Sequence, residues 1–189
     1  RRYLMATISS GTVLSSTFYL RNFYTNNKNL VKSSNRKNYL DIELSYEDSR
    51  ALSRAAKALS KFSYSESDNS KSIANSVLAF TKTFNYTLES TKDTTDSSSK
   101  RYVKQLKKLT SKYKDELEDL GITINGDGSL KVNEDFLKNR DSDELGKLFN
   151  KNSDFSKQLK QLSKKLSNST YSDIYSQMTG SGLQVNITL

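Results

Sequence analysis

Apolar residues recur at steps of three and four along much of the chain, which is the spacing of one face of an α-helix. Four such series are separated by short polar stretches. They are Leu52 to Phe62, Ile73 to Leu88, Tyr102 to Leu120, and Phe155 to Leu166, the last resuming as far as Met178. The pattern predicts a mostly α fold, an elongated helical bundle of coiled-coil-like antiparallel helices with one small β-hairpin.

Residues that commonly cap helices mark where several of these helices begin. Ser45 followed by Asp48 is typical of a capping box, so we expect the first helix to begin there. Asn133 is predicted to cap one short helix, and Asp141 or Ser142 to cap the next.

The two longest series are joined by a polar segment, residues 90–99. Its hydroxyl groups are expected to cap the next helix at about Ser99. Helices joined by a short connection commonly pack antiparallel, so 73–88 and 102–120 are predicted to form a pair. Each of them is amphipathic, and the pair therefore needs further helices, or a second copy of the chain, to close its core.

A β-hairpin is predicted at Ile122–Val132. Two short alternating runs flank the segment Asn-Gly-Asp-Gly-Ser at 125–129, whose residues tolerate positive φ. Gly121 precedes the first run and stands where a left-handed helix C-cap is expected.

The hairpin turn also matches part of a calcium-binding loop. Counted from Thr123, the candidate metal ligands are Asn125, Asp127 and Glu134. Position one of that loop is Thr123, where a carboxylate is needed, and position nine is Lys131. Because both replacements remove favourable charge and the hairpin explains the same residues, we expect no metal and no cofactor.

Charged residues elsewhere in the helical region are expected to form solvated helix faces. The acids Asp115, Glu116, Glu118 and Asp119 should fan around a helix axis and not converge. The lysine pairs at 107–108, 112–114 and 164–165 are typical of the polar sides of amphipathic helices, with contact to an acidic partner as the alternative.

The two ends of the chain differ from the middle. The first 40 residues contain seven basic and no acidic side chains, and their aromatic patch fits either a short helix or a pair of strands. We divide the chain into a basic, aromatic-containing arm (1–44), a helical domain (45–178) and an extended apolar tail (179–189). The ends supply the candidate interaction residues, which are Phe18, Tyr19, Arg21, Phe23, Tyr24, Lys28, Arg36, Lys37, Leu183, Val185 and Ile187.

Composition limits the chemistry that the chain could perform. It contains no His and no Cys, and therefore lacks an imidazole base, a thiolate nucleophile and the commonest zinc ligands. No pair of acids or phosphate-binding loop is evident, so we expect no catalytic residues and no enzyme. No apolar run is long enough to span a membrane. The net charge of +9 is concentrated in the arm, but no cluster is dense enough to indicate more than non-specific nucleic-acid binding.

The segment Leu120 to Asn133, followed by Leu137, Leu145, Leu148 and Phe149, resembles the C-terminal region of flagellar filament-capping (hook-associated) proteins. The resemblance covers about residues 70–178. It implies a helical hairpin plus a β-hairpin, and self-association or association with a related filament protein. It also implies an extracellular, flagellum-associated location; without it a cytoplasmic location is expected. The alternative is a monomeric helical binding module whose basic arm contacts an acidic partner, either nucleic acid or an anionic surface.

Overall fold

A computed structural model describes residue 36, residues 40–65 and residues 70–182, with side chains described as far as residue 177. Within these residues the chain forms seven helices and a two-stranded sheet. The helices are α1 (Asp41–Leu59), α2 (Ser70–Ser90), α3 (Ser97–Lys112), α4 (Lys114–Glu118), α5 (Glu134–Lys138), α6 (Ser142–Phe149) and α7 (Asp154–Gly182), and the strands are β1 (Ile122–Ile124) and β2 (Leu130–Val132). The predicted class, a mostly helical bundle with one small hairpin, is confirmed.

Four long helices form the bundle, but their pairing differs from the prediction. Helix α1 packs closely against α2 and α7, and α3 packs against α7, whereas α2 and α3 make no comparably close contact. The reason lies in small polar side chains. Ser49 Oγ of α1 lies 2.6 Å from Thr170 Oγ1 of α7, and both residues are buried. Such small side chains allow backbones to approach, and they do not stand out in an apolar pattern.

The centre of the core is aromatic. Phe80 and Phe84 of α2, Phe149 of α6 and Phe155 of α7 are all fully buried. The ring of Phe149 lies 5.9 Å from that of Phe80 and 5.7 Å from that of Phe155, both in edge-on geometry. Leucines of all four apolar series surround these rings, as their spacing predicts. This cluster therefore joins the short helix α6 to two long helices.

The start of the first helix was predicted wrongly. Helix α1 begins at Asp41, and the N–H of Leu40 donates to Glu43 Oε2 at 3.0 Å. Ser45 is not a cap: it is buried inside the helix, where its hydroxyl donates to the carbonyl of Ser90. The acids Asp41 and Glu43 suit the positive end of the helix dipole, which favours the earlier start.

The helix predicted from 99 to 120 is divided at Tyr113. The backbone of Tyr113 leaves helical geometry (φ −108°, ψ 32°), and its N–H is shared between the carbonyls of Leu109 and Thr110. Helix α4 then restarts with Leu117 N–H donating to the Tyr113 carbonyl at 3.0 Å. The cap of α3 is the carboxylate of Asp96, and not a hydroxyl group.

The later caps agree with the sequence. Asn133 Oδ1 accepts from the N–H of Phe136 at 3.1 Å, and the N–H of Asp141 donates to Glu144 Oε2 at 3.2 Å. Helix α7 continues to Gly182. Residues 179–182, predicted as the start of an extended tail, are therefore helical. No helix among the described residues is long and apolar enough to cross a membrane.

The hairpin is confirmed with its predicted limits. Ile122 pairs with Val132 and Ile124 with Leu130 in antiparallel register. Gly121 (φ 77°) lies between α4 and the hairpin, in the left-handed conformation that glycine adopts without strain. The C-cap residue of α4 is Asp119, two residues before the predicted Gly121. Two helices hold the hairpin: the side chain of Asn85 in α2 bonds to Leu130, and Lys107 Nζ in α3 donates to the carbonyl of Asp127 at 2.7 Å.

Candidate interaction surfaces

The interaction residues predicted at the chain ends lie outside the described residues, except for Arg36, which is half-buried. Those outside are Phe18, Tyr19, Arg21, Phe23, Tyr24, Lys28, Lys37, Leu183, Val185 and Ile187. They stay predictions.

The candidate calcium ligands form a hydrogen-bonded turn. Asp127 Oδ1 accepts from both the N–H and the hydroxyl of Ser129, at 2.8 and 2.6 Å, and these bonds lower the pKa of Asp127. Asn125 donates its amide to Ser129 Oγ at 2.8 Å, and Glu134 pairs with Lys138 at 3.1 Å. Across the described part of the chain, no group of three or more acidic side chains is arranged to hold a metal ion.

Helices α3 and α7 together present a strongly basic surface. Residues 97–112 carry six basic side chains and no acid, and residues 155–172 carry four basic side chains and no acid. The two helices run antiparallel side by side, since Lys112 and Gln158 line one end of their seam and Tyr102 and Lys165 line it further along. Basic residues that are some 50 positions apart in sequence are therefore carried by two neighbouring helices, and Lys108, Lys112 and Lys165 line the seam between them.

We call the seam between these helices the basic groove. Its charged lining residues are Lys108, Lys112 and Lys165, with Asp96 and Asp173 at the end farthest from Tyr113. One section, about 270 Å³ in volume, has Leu109 and Leu162 among its lining. Arg101 lies over the ring of Tyr102 and Lys112 over that of Tyr113, each 5.1 Å from the ring centroid. Neither Arg101 nor the three lysines of the groove form an ion pair with the residues that the structure describes. The section around Lys108 and Lys112 thus offers unpaired positive charge beside apolar side chains.

A cleft of about 630 Å³ adjoins the groove at the Tyr113 end. Helices α4, α5, α6 and the start of α7 surround it. We call it the acidic cleft, because its lining includes five acids and two basic residues: Glu116, Glu118, Asp119, Glu144 and Asp154, with Arg140 and Lys147. Three of the acids from 115–119 line this cleft, and all three are exposed, as expected of a solvated helix face. The apolar pattern did not indicate the cleft, because its other walls come from α5, α6 and α7.

A stacked pair of side chains forms one wall of the acidic cleft. The guanidinium carbon of Arg140 lies 3.9 Å from the ring centroid of Phe136, and its Nη1 lies 3.4 Å from Glu144 Oε1. Arg140 Nε is buried and has no hydrogen-bond partner among the described residues. Phe136 remains 38% exposed, so the cleft has an aromatic surface open to a partner.

Two acids of the cleft are placed where they weaken the fold. Glu118 ends α4 and Asp119 is its C-cap residue, at the negative end of the helix dipole. Such a position costs about 0.3–1 kcal/mol for each exposed charge. The exposed ion pair between Lys114 and Glu118, at 3.6 Å, offsets little of this. The other three acids, Glu116, Glu144 and Asp154, lie in the first turns of their helices, where the dipole favours them.

At its other end the seam between α3 and α7 is closed by Asp96. Its Oδ2 accepts from the N–H of Ser99 at 2.7 Å and from the hydroxyl of Ser169, in α7, at 2.6 Å, while Oδ1 accepts from Ser98 N–H at 3.2 Å. Desolvation alone would raise the pKa of Asp96, but these hydrogen bonds outweigh it and the pKa lies below its usual value. The nearby Asp173 has a raised pKa because of burial and the charge of Asp96.

Replacing Asp96 with Ala is expected to lower the free energy of unfolding by about 1–2 kcal/mol at pH 7, because α3 loses its N-cap. A carboxylate with a depressed folded-state pKa stabilises above its unfolded pKa of about 3.9, and this contribution is lost as pH falls through the folded-state value. The difference between variant and wild type in urea unfolding should therefore shrink at pH 3. Asp93→Ala, in the exposed preceding turn, is the control. A difference that is the same at both pH values would show that the charge is not involved.

Comparison with known proteins finds no family model, no curated protein and no solved structure that matches this chain.

Proposed function

We propose that the chain is a non-catalytic structural protein that self-associates, as part of a flagellar cap or another filament-associated assembly. The observation that supports this most is the order of elements from 114 to 182. A helix ends at Glu118, shortly before Gly121, a hairpin follows, two short helices finish at Phe149, and a long helix leads away. This is the order that the resemblance to filament-capping proteins implies.

The surface also supports a role in assembly. Two extended surfaces of opposite charge adjoin each other on a bundle whose core is otherwise closed by its own helices. Complementary charge of this kind guides the approach and orientation of protein partners. The absence of His and Cys from the sequence supports the non-catalytic part of the proposal.

Light scattering on the full chain, compared with a chain ending at Gly182, tests self-association. We expect the full chain to reach a weight-average mass of at least twice the 21.4 kDa of one copy as concentration rises. The shortened chain should associate less, because an alternating apolar segment gains by pairing with a sheet edge or a groove. A full chain that stays monomeric at high concentration would contradict the proposal.

That outcome would favour the alternative, a monomeric binding module whose basic arm contacts an acidic partner. Titration with duplex DNA then separates specific from non-specific binding. We expect only non-specific binding, with a dissociation constant of about 10⁻⁴ to 10⁻⁶ M that weakens steeply with salt.

A further inference from the structure

We infer that the basic groove of one copy binds the acidic cleft of another, so that copies of this chain associate head to tail. This inference rests on the proposed self-association and names the two surfaces that carry it.

Charge complementarity is the first argument. Residues 115–154, which contain the hairpin and most of the cleft, carry eleven acidic and five basic side chains. The two helices of the groove carry ten basic side chains and no acid over 97–112 and 155–172. Like charges close together on one surface repel one another. A facing surface of opposite charge reduces this repulsion on both surfaces. The second copy supplies such a surface.

The residues that have no partner within the chain are the second argument. Lys108 and Lys165 in the groove, and Glu116 and Asp119 in the cleft, are exposed and form no ion pair with any described residue. The ring of Phe136 beside these acids is 38% exposed, and the Arg140 guanidinium already lies over it. The acids are therefore the groups that would hold a lysine ammonium group of another copy.

The relative position of the surfaces is the third argument. The cleft lies at the Tyr113 and Phe155 end of the α3–α7 pair, and the groove continues from Lys112 along the same two helices. A head-to-tail contact, in which each copy offers its groove to one neighbour and its cleft to another, closes into a ring or continues as a filament, according to the rotation between copies.

Charge reversal on each surface separately, and then on both, tests the inference in the full chain. One variant carries Lys108→Glu and Lys165→Glu, the second carries Glu116→Lys and Asp119→Lys, and the third combines all four. The matched control for the first variant is Lys71→Glu with Lys82→Glu. It makes the same change in net charge as that variant, at exposed positions of α2. Circular dichroism first checks that all of them keep the helical content of the wild type.

Each single-surface variant should raise the dissociation constant for self-association about tenfold or more in sedimentation or light scattering at low salt, because like charges then face each other. The combined variant, and an equimolar mixture of the two single-surface variants, should recover association to within about threefold of wild type. The control should associate as the wild type does, and added salt should weaken all these complexes.

Four outcomes would overturn the inference. Single-surface variants that associate as well as wild type would show that other surfaces carry the contact, with the proposed self-association intact. Loss of association without recovery in the mixture or in the combined variant would show that groove and cleft are not each other's partners. Nanomolar binding of duplex DNA that Lys108→Glu with Lys165→Glu abolishes would assign the groove to nucleic acid. A wild-type chain that is monomeric under all conditions would remove both the inference and the proposed function.

Discussion

Replacing Phe149 with Ala is expected to lower the free energy of unfolding by about 3–5 kcal/mol, the usual cost of removing a buried aromatic ring from a core. Phe149 is fully buried and packs against the rings of Phe80 and Phe155. These contacts join α6 to α2 and α7, so the cavity left by the substitution would loosen one wall of the acidic cleft. A domain of ordinary stability has only about 5–15 kcal/mol to lose. Urea unfolding followed by circular dichroism measures the change.

Phe136→Ala is the matched control for that experiment. The same ring is removed, but from a side chain that is 38% exposed, so the expected loss is about 1 kcal/mol or less. That loss would come mainly from the contact with Arg140. Equal losses for the two substitutions would show that the aromatic cluster around Phe149 is not the centre of the core.

Most of the fold could be predicted because a buried helix face requires a regular spacing of apolar residues in the sequence. A helix that buries one face repeats apolar residues every three or four positions, and the rings of Phe80, Phe84 and Phe155 are buried as their series predict. The hairpin could be predicted because its turn requires positive φ at Gly128 (φ 87°), which few residue types tolerate.

Pairing of the helices could not be predicted in this way. An apolar series identifies the buried face of a helix, but it does not identify the helix that covers this face. The contact of α1 with α7 uses the hydroxyls of Ser49 and Thr170, and serine and threonine are equally common on solvated surfaces. The same ambiguity explains Ser45, which has the sequence context of a cap and the structural role of a buried side chain bonded to the Ser90 carbonyl.

The candidate surfaces depend on which helices are neighbours, and the apolar pattern does not predict this. The lysines of α3 and those of α7 are each consistent with an ordinary polar helix face. They become one basic groove only because the two helices are neighbours. For the cleft, the acids of 115–119 supply only part of the lining. The rest comes from α5, α6 and the start of α7, and the apolar pattern does not show how these helices are placed.

Strand β2 of the hairpin is hydrogen-bonded to α2 through one amide side chain, that of Asn85. Asn85 Nδ2 donates to the carbonyl of Leu130 at 2.8 Å, and Asn85 Oδ1 accepts from the N–H of Leu130 at 2.8 Å. The amide thus takes the place of a neighbouring strand at the outer edge of β2. Leu130 is 3% exposed, so water can replace these bonds only in part. A buried backbone group left without a partner costs about 1–3 kcal/mol.

Replacing Asn85 with Ala is therefore expected to destabilise the fold by about 2–4 kcal/mol, because both backbone groups of Leu130 lose their partner at once. Asn75→Ala, at an exposed position of the same helix, should change stability by less than about 0.5 kcal/mol. Asn85→Asp keeps the acceptor for the N–H but places a carboxylate against the carbonyl, so it should be nearly as destabilising at pH 7. Protonation restores a donor, and the difference from wild type should narrow toward pH 3. Hydrogen exchange at the Leu130 amide, measured by NMR, provides a local readout beside urea unfolding. Unchanged protection of that amide in Asn85→Ala would show that the side chain does not hold the strand, whatever the global stability.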